Sequence, residues 1–185
     1  MTMVKALARA RVPLGFLFAG IVLWLAQPTA ASLAIGTAVA LIGESLRVWA
    51  AGHLNKSREV TVSGPYRWFA HPLYVGSSVM GLGVALASNR LLVLVAVAGY
   101  LLVTITAAIK SEEAFLRGKF GGEYDAYRRG GARRGHAAEQ GRRFSVAQAM
   151  ANREYRAFGG LLAAVLLLAL KAAYNGMFWR AGAGH

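Results

Sequence analysis

Five nearly uncharged apolar stretches restrict what this chain can fold into. They run from Leu14 to Ala26, Leu33 to Ile42, Leu73 to Ala87, Leu91 to Ile109 and Phe158 to Leu170. A hydrocarbon core of ~30 Å takes about 20 helical residues at ~1.5 Å each. The fourth stretch has that length, and the others approach it once small and polar flanks are counted. A soluble bundle would carry polar faces at period 3.6 inside these stretches, and they have none. The expected fold is therefore all-α: a polytopic membrane helix bundle, one integral membrane domain over residues 1–185. About five transmembrane helices are expected, at about 12–27, 29–54, 72–88, 90–110 and 157–178. Pro28 separates the first two and Thr29 can start the second. The short Ser88-Asn89-Arg90 turn makes the third and fourth an antiparallel hairpin. Lys5, Arg9 and Arg11 before the first span give it the look of a signal peptide. With no convincing small-residue cleavage site, it reads as a retained helix.

The formal net charge is +13, which in a soluble protein would point to nucleic acid. Here membrane topology accounts for it. Lys5, Arg9 and Arg11 precede the first span, and Lys56, Arg58 and Arg67 follow the second. Eleven further Lys and Arg residues, from Lys110 to Arg156, separate the fourth and fifth, whereas the opposite loops carry only Arg90, with Lys171 and Arg180 near the last span. This alternation predicts a cytoplasmic N-terminus in an inner (plasma) membrane, with lipid as a partner and no nucleic acid. There is no cysteine, so disulfides, thiolate metal sites and a cysteine nucleophile are excluded. His53, His71, His136 and His185 lack metal-ligand spacing, and no metal is expected.

Three polar groupings carry the candidate chemistry. The first is SGPYRWFAHPLYVG, residues 63–76. Gly64-Pro65 marks a turn, and Pro72 suits the first position of a helix with His71 at its cap. Tyr74, Ser78, Gly81 and Ala85 then share one face, with Gly83 close by. A face of small residues receives either a neighbouring helix, the usual reason in membranes, or a flat ligand. The second is KSEEAFLRGKFGGEYDAY, residues 110–127. It reads as an amphipathic helix over 112–129, capped by Ser111, that lies along the interface or caps the bundle. Glu112 and Glu113 either favour the positive end of that helix or point back toward the bundle to take a ribose diol or an ammonium. The third is Glu44 with Arg47, three residues on, in the second span. They pair with each other, or Glu44 serves as a proton-coupled site. Residues 130–156 read as an Arg-rich cytoplasmic linker whose Gly- and Arg-rich part, 130–143, is flexible.

Together GPYRWFAHPLYVG, the later GLG at 81–83 and SEEAFLRGKFGGEYDAY resemble the isoprenylcysteine carboxyl methyltransferase and phospholipid N-methyltransferase superfamily, over about residues 45–128. The resemblance implies an S-adenosylmethionine-dependent membrane methyltransferase. By motif position His71, Tyr74, Gly81, Gly83, Glu112 and Glu113 would line the cofactor site, with Tyr66 and Arg67 at its mouth. Direct displacement at the sulfonium methyl by an amphiphilic or lipid acceptor would follow, with Arg67 and Glu113 as catalytic candidates. Where the family pattern has Arg before His-Pro, this chain has Ala70. Arg67, three residues earlier, is the candidate to take that place. The competing expectations are a small proton-coupled transporter using Glu44 and a catalytically inactive membrane scaffold.

Overall fold

The computed structural model describes residues 17–55, 60–129 and 143–176, with the backbone alone at 123 and 126. Among the described residues the protein is helical, with no strand. A first helix, α1, covers 17–25. It is followed by α2 (Ala30–His53), a 3-10 turn (Gly64–Arg67), α3 (Pro72–Ala87), α4 (Leu91–Phe120), α5 (Gly122–Arg128), α6 (Val146–Ala151) and α7 (Tyr155–Tyr174).

The starts of these helices follow local chemistry. Thr29 caps α2 in a capping box: its hydroxyl accepts from the Ser32 amide, and the Ser32 hydroxyl accepts from the Thr29 amide. Pro72 opens α3, where a missing N–H costs nothing, with His71 as the N-cap. Among the described residues α2, α4 and α7 are long and apolar enough to cross a membrane, and α3, at 16 residues, is a shorter apolar helix. The chain is an integral membrane protein. Leu91, Leu92, Val95, Leu102 and Val103 of α4 stay exposed, as lipid-facing side chains do.

The bundle is assembled on the contact between α2 and α3. Gly43 and Gly76 face each other so closely that a Cβ on Gly43 would come 2.6 Å from the Gly76 carbonyl oxygen. One turn-pair further along, a Cβ on Gly83 would meet the Gly36 carbonyl oxygen at 2.7 Å. Only glycine lets two backbones approach so near, and the gain is dispersion contact over the whole interface. α7 then closes on α2 and α3 through Leu168 and Ala172, which join Ala26, Leu33 and Ala87 in one core cluster. Lys171 Nζ donates to the Leu23 and Trp24 carbonyls, both at 2.5 Å, and so satisfies the end of α1.

Three expectations are corrected. The fourth span and the amphipathic segment are not separate elements, because α4 runs for 30 residues through Lys110 and Ser111 without a break. Nothing at 110–111 disrupts a helix. The break comes at Gly121, whose φ of 50° favours glycine, and α5 follows it. At ~1.5 Å per residue α4 is about 45 Å long, so its last third projects beyond a hydrocarbon core of ~30 Å. The end of the expected linker is also folded. Ser145 caps α6, and this segment covers the end of α2: Ser145 N donates to Gly52 O at 3.2 Å, Gln148 Nε2 to Leu54 O at 2.9 Å and Asn152 Nδ2 to Ala51 O at 2.8 Å. These bonds satisfy carbonyls that a helix terminus leaves without partners. The last helix spans Tyr155–Tyr174 rather than 157–178. The expectations for residues 1–16, for Lys56 and Arg58, and for the Gly- and Arg-rich stretch 130–142 lie outside the described residues.

Substituting Gly43 by Val is expected to cost about 3 kcal/mol or more, the range of severe overpacking, and to lower the detergent melting temperature of the purified protein. Gly99→Ala, where no atom lies within 4 Å of the added Cβ, is expected to leave it unchanged or slightly raised. Differential scanning fluorimetry of the two variants beside wild type checks both.

Candidate functional site

Where α3 begins and the lower third of α4 ends, four elements meet. His71, at the cap of α3, directs its Nε2 to Glu113 Oε1 at 3.3 Å and its Nδ1 toward Glu112 Oε2 at 3.8 Å. Arg128 of α5 reaches Glu113 Oε1 at 2.9 Å, and Arg117, one turn on along α4, lies 3.8 Å from Glu113 Oε2. Glu113 is thus a nearly buried carboxylate with a cation on each side, while the Glu112 side chain keeps 40% of its surface exposed. The Tyr74 ring lies 5.9 Å from the His71 ring, and its phenol faces the Glu112 carboxylate.

The two acids do not sit at the positive end of a helix. They lie in the C-terminal third of α4, where the dipole opposes them. Helix capping therefore gives no reason for them, and His71, Arg128 and Arg117 supply one. The gap at Gly121–Gly122 matters here, because it turns α5 back so that Arg128 meets Glu113 and Tyr127 meets the 3-10 turn. The Tyr127 hydroxyl shares its one proton between the Tyr66 carbonyl at 3.1 Å and the Phe69 carbonyl at 3.3 Å. Beneath it Val60, Val62, Tyr124 and Tyr127 form an apolar cluster against which Ala70 packs.

The Tyr66 side chain is buried at this junction. Burial pushes its phenol well above the ordinary value of 10, and the negative charge of Glu112 adds to the shift. Burial likewise raises the Tyr124 phenol, with Glu113 contributing and Arg128 opposing. Among the described residues the Tyr124 hydroxyl has no hydrogen-bond partner.

Of the residues expected at the site, His71, Tyr74, Glu112 and Glu113 converge, with Tyr66 buried beside them and Arg67 exposed at the end of the 3-10 turn. The two glycines are not brought to this cluster. Gly83 is taken up by the backbone of α2, and Gly81 lies against Leu101 of α4. Packing between helices thus accounts for the small residues. Arg128 had no pattern to announce it, since its role depends on the turn at Gly121. Arg117 was readable only as an i, i+4 partner of Glu113. Glu44 does not line a water path: it is 3% exposed and lies beside Arg47, which also contacts Glu154. Among the described residues no group of three or more His, Cys, Asp or Glu is arranged to hold a metal ion.

Residues 37–123 match the model of the phospholipid methyltransferase family. This segment runs from within α2 to the start of α5, and the match likens it to the superfamily of membrane methyltransferases that includes the isoprenylcysteine carboxyl methyltransferases. Among curated proteins the chain is 35% identical over 99 residues to the nickel-cobalt-cadmium resistance protein NccN of Alcaligenes xylosoxydans xylosoxydans. The alignment covers 51% of this chain and 44% of that relative, so the chain spans less than half of the relative's length. No solved structure matches.

Because the fold favours the neutral phenols of Tyr66 and Tyr124, their contribution to stability is complete below the ordinary phenol value of 10.0 and is lost as pH rises above it. Alkaline titration of tyrosine absorbance is expected to show late-ionising phenols that titrate only as the protein unfolds, and fewer of them in Tyr66→Phe. Tyr127→Phe removes the one donated hydrogen bond that the two carbonyls share, worth about 1 kcal/mol. It is expected to lower the melting temperature and speed hydrogen exchange over residues 60–70.

Proposed function

We propose that this protein is an S-adenosylmethionine-dependent methyltransferase acting on an amphiphilic or membrane-soluble acceptor at the cytoplasmic face of the membrane. One observation carries the reading: His71, Tyr74, Glu112 and Glu113, 42 residues apart at the extremes of one ion pair, converge beyond the apolar part of α4, inside the segment that matches the phospholipid methyltransferase family.

The donor set fits this cofactor. Its carboxylate would be held by His71, at a helix start, and by the Arg128 guanidinium. Its ribose diol or ammonium would be held by Glu112, the carboxylate that retains an exposed edge. Tyr74 offers a flat ring beside both. The orphaned, buried Tyr124 hydroxyl is a further polar atom in want of a partner. When bound, the cofactor supplies an electrophilic methyl group on a sulfonium, open to direct displacement.

The residues of the chain then orient and shield. Glu113, fixed by Arg128 and Arg117, holds the His71 ring in place. The buried Tyr66 and the apolar cluster beneath it exclude water from one side. Alignment of two reactants in a dry site is worth several kcal/mol of barrier, on the order of 7–11 for well-oriented reactions. Arg67, exposed beside Trp68 and Phe69, is proposed to meet the acceptor's polar head. A thiolate or carboxylate acceptor needs no base. An amine must lose a proton, which Glu113 or water would take.

Calorimetric titration of S-adenosylmethionine into the purified protein in detergent tests the reading. Saturable binding is expected for wild type, weakened about tenfold, ~1.4 kcal/mol, by His71→Ala and by Glu112→Gln, with Glu112→Gln leaving the melting temperature in place. Folded wild-type protein that binds no cofactor would overturn it.

A further inference from the structure

The turn between α6 and α7 holds an arginine where the backbone favours glycine. α6 ends in a Schellman motif: the Glu154 amide donates to the Ala149 carbonyl at 3.2 Å and the Arg153 amide to the Met150 carbonyl at 2.9 Å. The residue that closes such a motif takes a left-handed conformation, and Arg153 does so with a φ of 62°. Glycine adopts it freely, whereas a residue with a side chain is strained there. Neighbours fasten the turn on both sides. Asn152 Nδ2 donates to the Ala51 and Leu54 carbonyls at 2.8 and 2.9 Å, and Glu154 Oε1 lies 2.7 Å from Arg47 Nε.

The Arg153 side chain gives the fold nothing in return. It is exposed and makes no hydrogen bond or ion pair with a described residue. Arg156, whose amide donates to the Arg153 carbonyl at 3.1 Å, is exposed one turn on and lies over the Tyr155 ring, 6.0 Å from its centroid. Flanking positive charge alone does not require this backbone, since any nearby position would carry it. Depth is the second feature. α7 starts at Tyr155 and is long and apolar enough to cross a membrane, so both guanidiniums stand where lipid headgroups begin. Val146 and Met150, one turn apart on α6, and Tyr155 and Phe158 on α7 are each at least half exposed. Apolar and aromatic side chains at that level face the boundary between headgroups and acyl chains. A guanidinium adds a planar fork that pairs with two phosphate oxygens at once.

We propose that Arg153 and Arg156 form a binding site for the phosphate of an anionic phospholipid, whose acyl chains lie against the exposed apolar side chains of α6 and α7. The occupant is a lipid rather than a soluble phosphate, because exposed apolar surface and a membrane span adjoin both cations. A phosphate held there also steadies the turn that sets Glu154 against Arg47. Arg47 in turn donates to the Leu73 carbonyl and the Ser77 hydroxyl in the first turns of α3. Lipid binding thereby stabilises the start of α3. The site uses no residue of the His71–Glu113 cluster and does not depend on the methyl-transfer reading.

Native mass spectrometry of the full chain in detergent, with phosphatidylglycerol or phosphatidylcholine added, tests the site, with melting temperatures taken on the same samples. Wild type is expected to retain phosphatidylglycerol in preference to phosphatidylcholine and to melt higher in its presence. Arg153→Gly and Arg156→Gln are each expected to weaken phosphatidylglycerol binding about tenfold. Without lipid, Arg153→Gly is expected to melt at or above the wild-type temperature, because glycine relieves the backbone. Arg90→Gln, at the start of α4 and the opposite end of the bundle, is expected to leave binding unchanged. Equal retention of the two lipids, or a phosphatidylglycerol preference that both variants keep in full, would overturn the proposal. So would inorganic phosphate or polyglutamate that raises the melting temperature as much as the lipid does. Should Arg153→Gly fold poorly, Arg156→Gln, which leaves the left-handed residue in place, decides.

Discussion

The near contact of the α2 and α3 backbones governs the rest of the structure. Gly36, Gly43, Gly76 and Gly83 let the two helices meet with no side chain between them. That contact fixes where α3 starts, hence where His71 lies, and it brings Arg47 within reach of Leu73 and Ser77. In a bilayer, lipid tails are as apolar as any side chain, so shape rather than hydrophobicity has to hold helices together. Glycine at matched positions on both helices is the means used here.

α3 is held from two sides by charges. From the α4 side, Glu113 binds His71 and is itself bound by Arg128 and Arg117. From the α2 side, Arg47 binds the first turns of α3 and is itself bound by Glu154. Tyr66 lies under the influence of Glu112 and of Glu154 alike. The start of α3 is therefore constrained from both sides. Such constraint is what a site needs if it is to hold a small charged molecule in one orientation.

Much of this arrangement was legible in the sequence, and the reasons are local. Pro28 with Thr29, and His71 with Pro72, mark helix starts through backbone chemistry that needs no partner from elsewhere. The apolar stretches carry the membrane assignment by length alone. The family resemblance rested on residues 45–128, and the family match at 37–123 agrees with it. What the sequence left hidden was tertiary. The small face of α3 was open to two readings, and only the position of α2 assigns Gly83 to packing. Ser111 has the chemistry of a cap, yet no breaker precedes it and α4 continues. Glu154 stands in an Arg-rich stretch that reads as a linker, and its importance comes from a distant arginine 107 residues earlier in the chain, by the numbering of the pair. Arg128 is equally dependent on the turn at Gly121.

The most direct measurement is photolabelling of the purified protein with tritiated S-adenosylmethionine under ultraviolet light, followed by peptide mapping. The account predicts label on the peptides containing His71 and Tyr74 and on the one containing Glu112 and Glu113, suppressed by excess unlabelled cofactor. Saturable label confined to the α2–α3 glycine interface or to α7, with the His71 and Glu112 peptides bare, would contradict it.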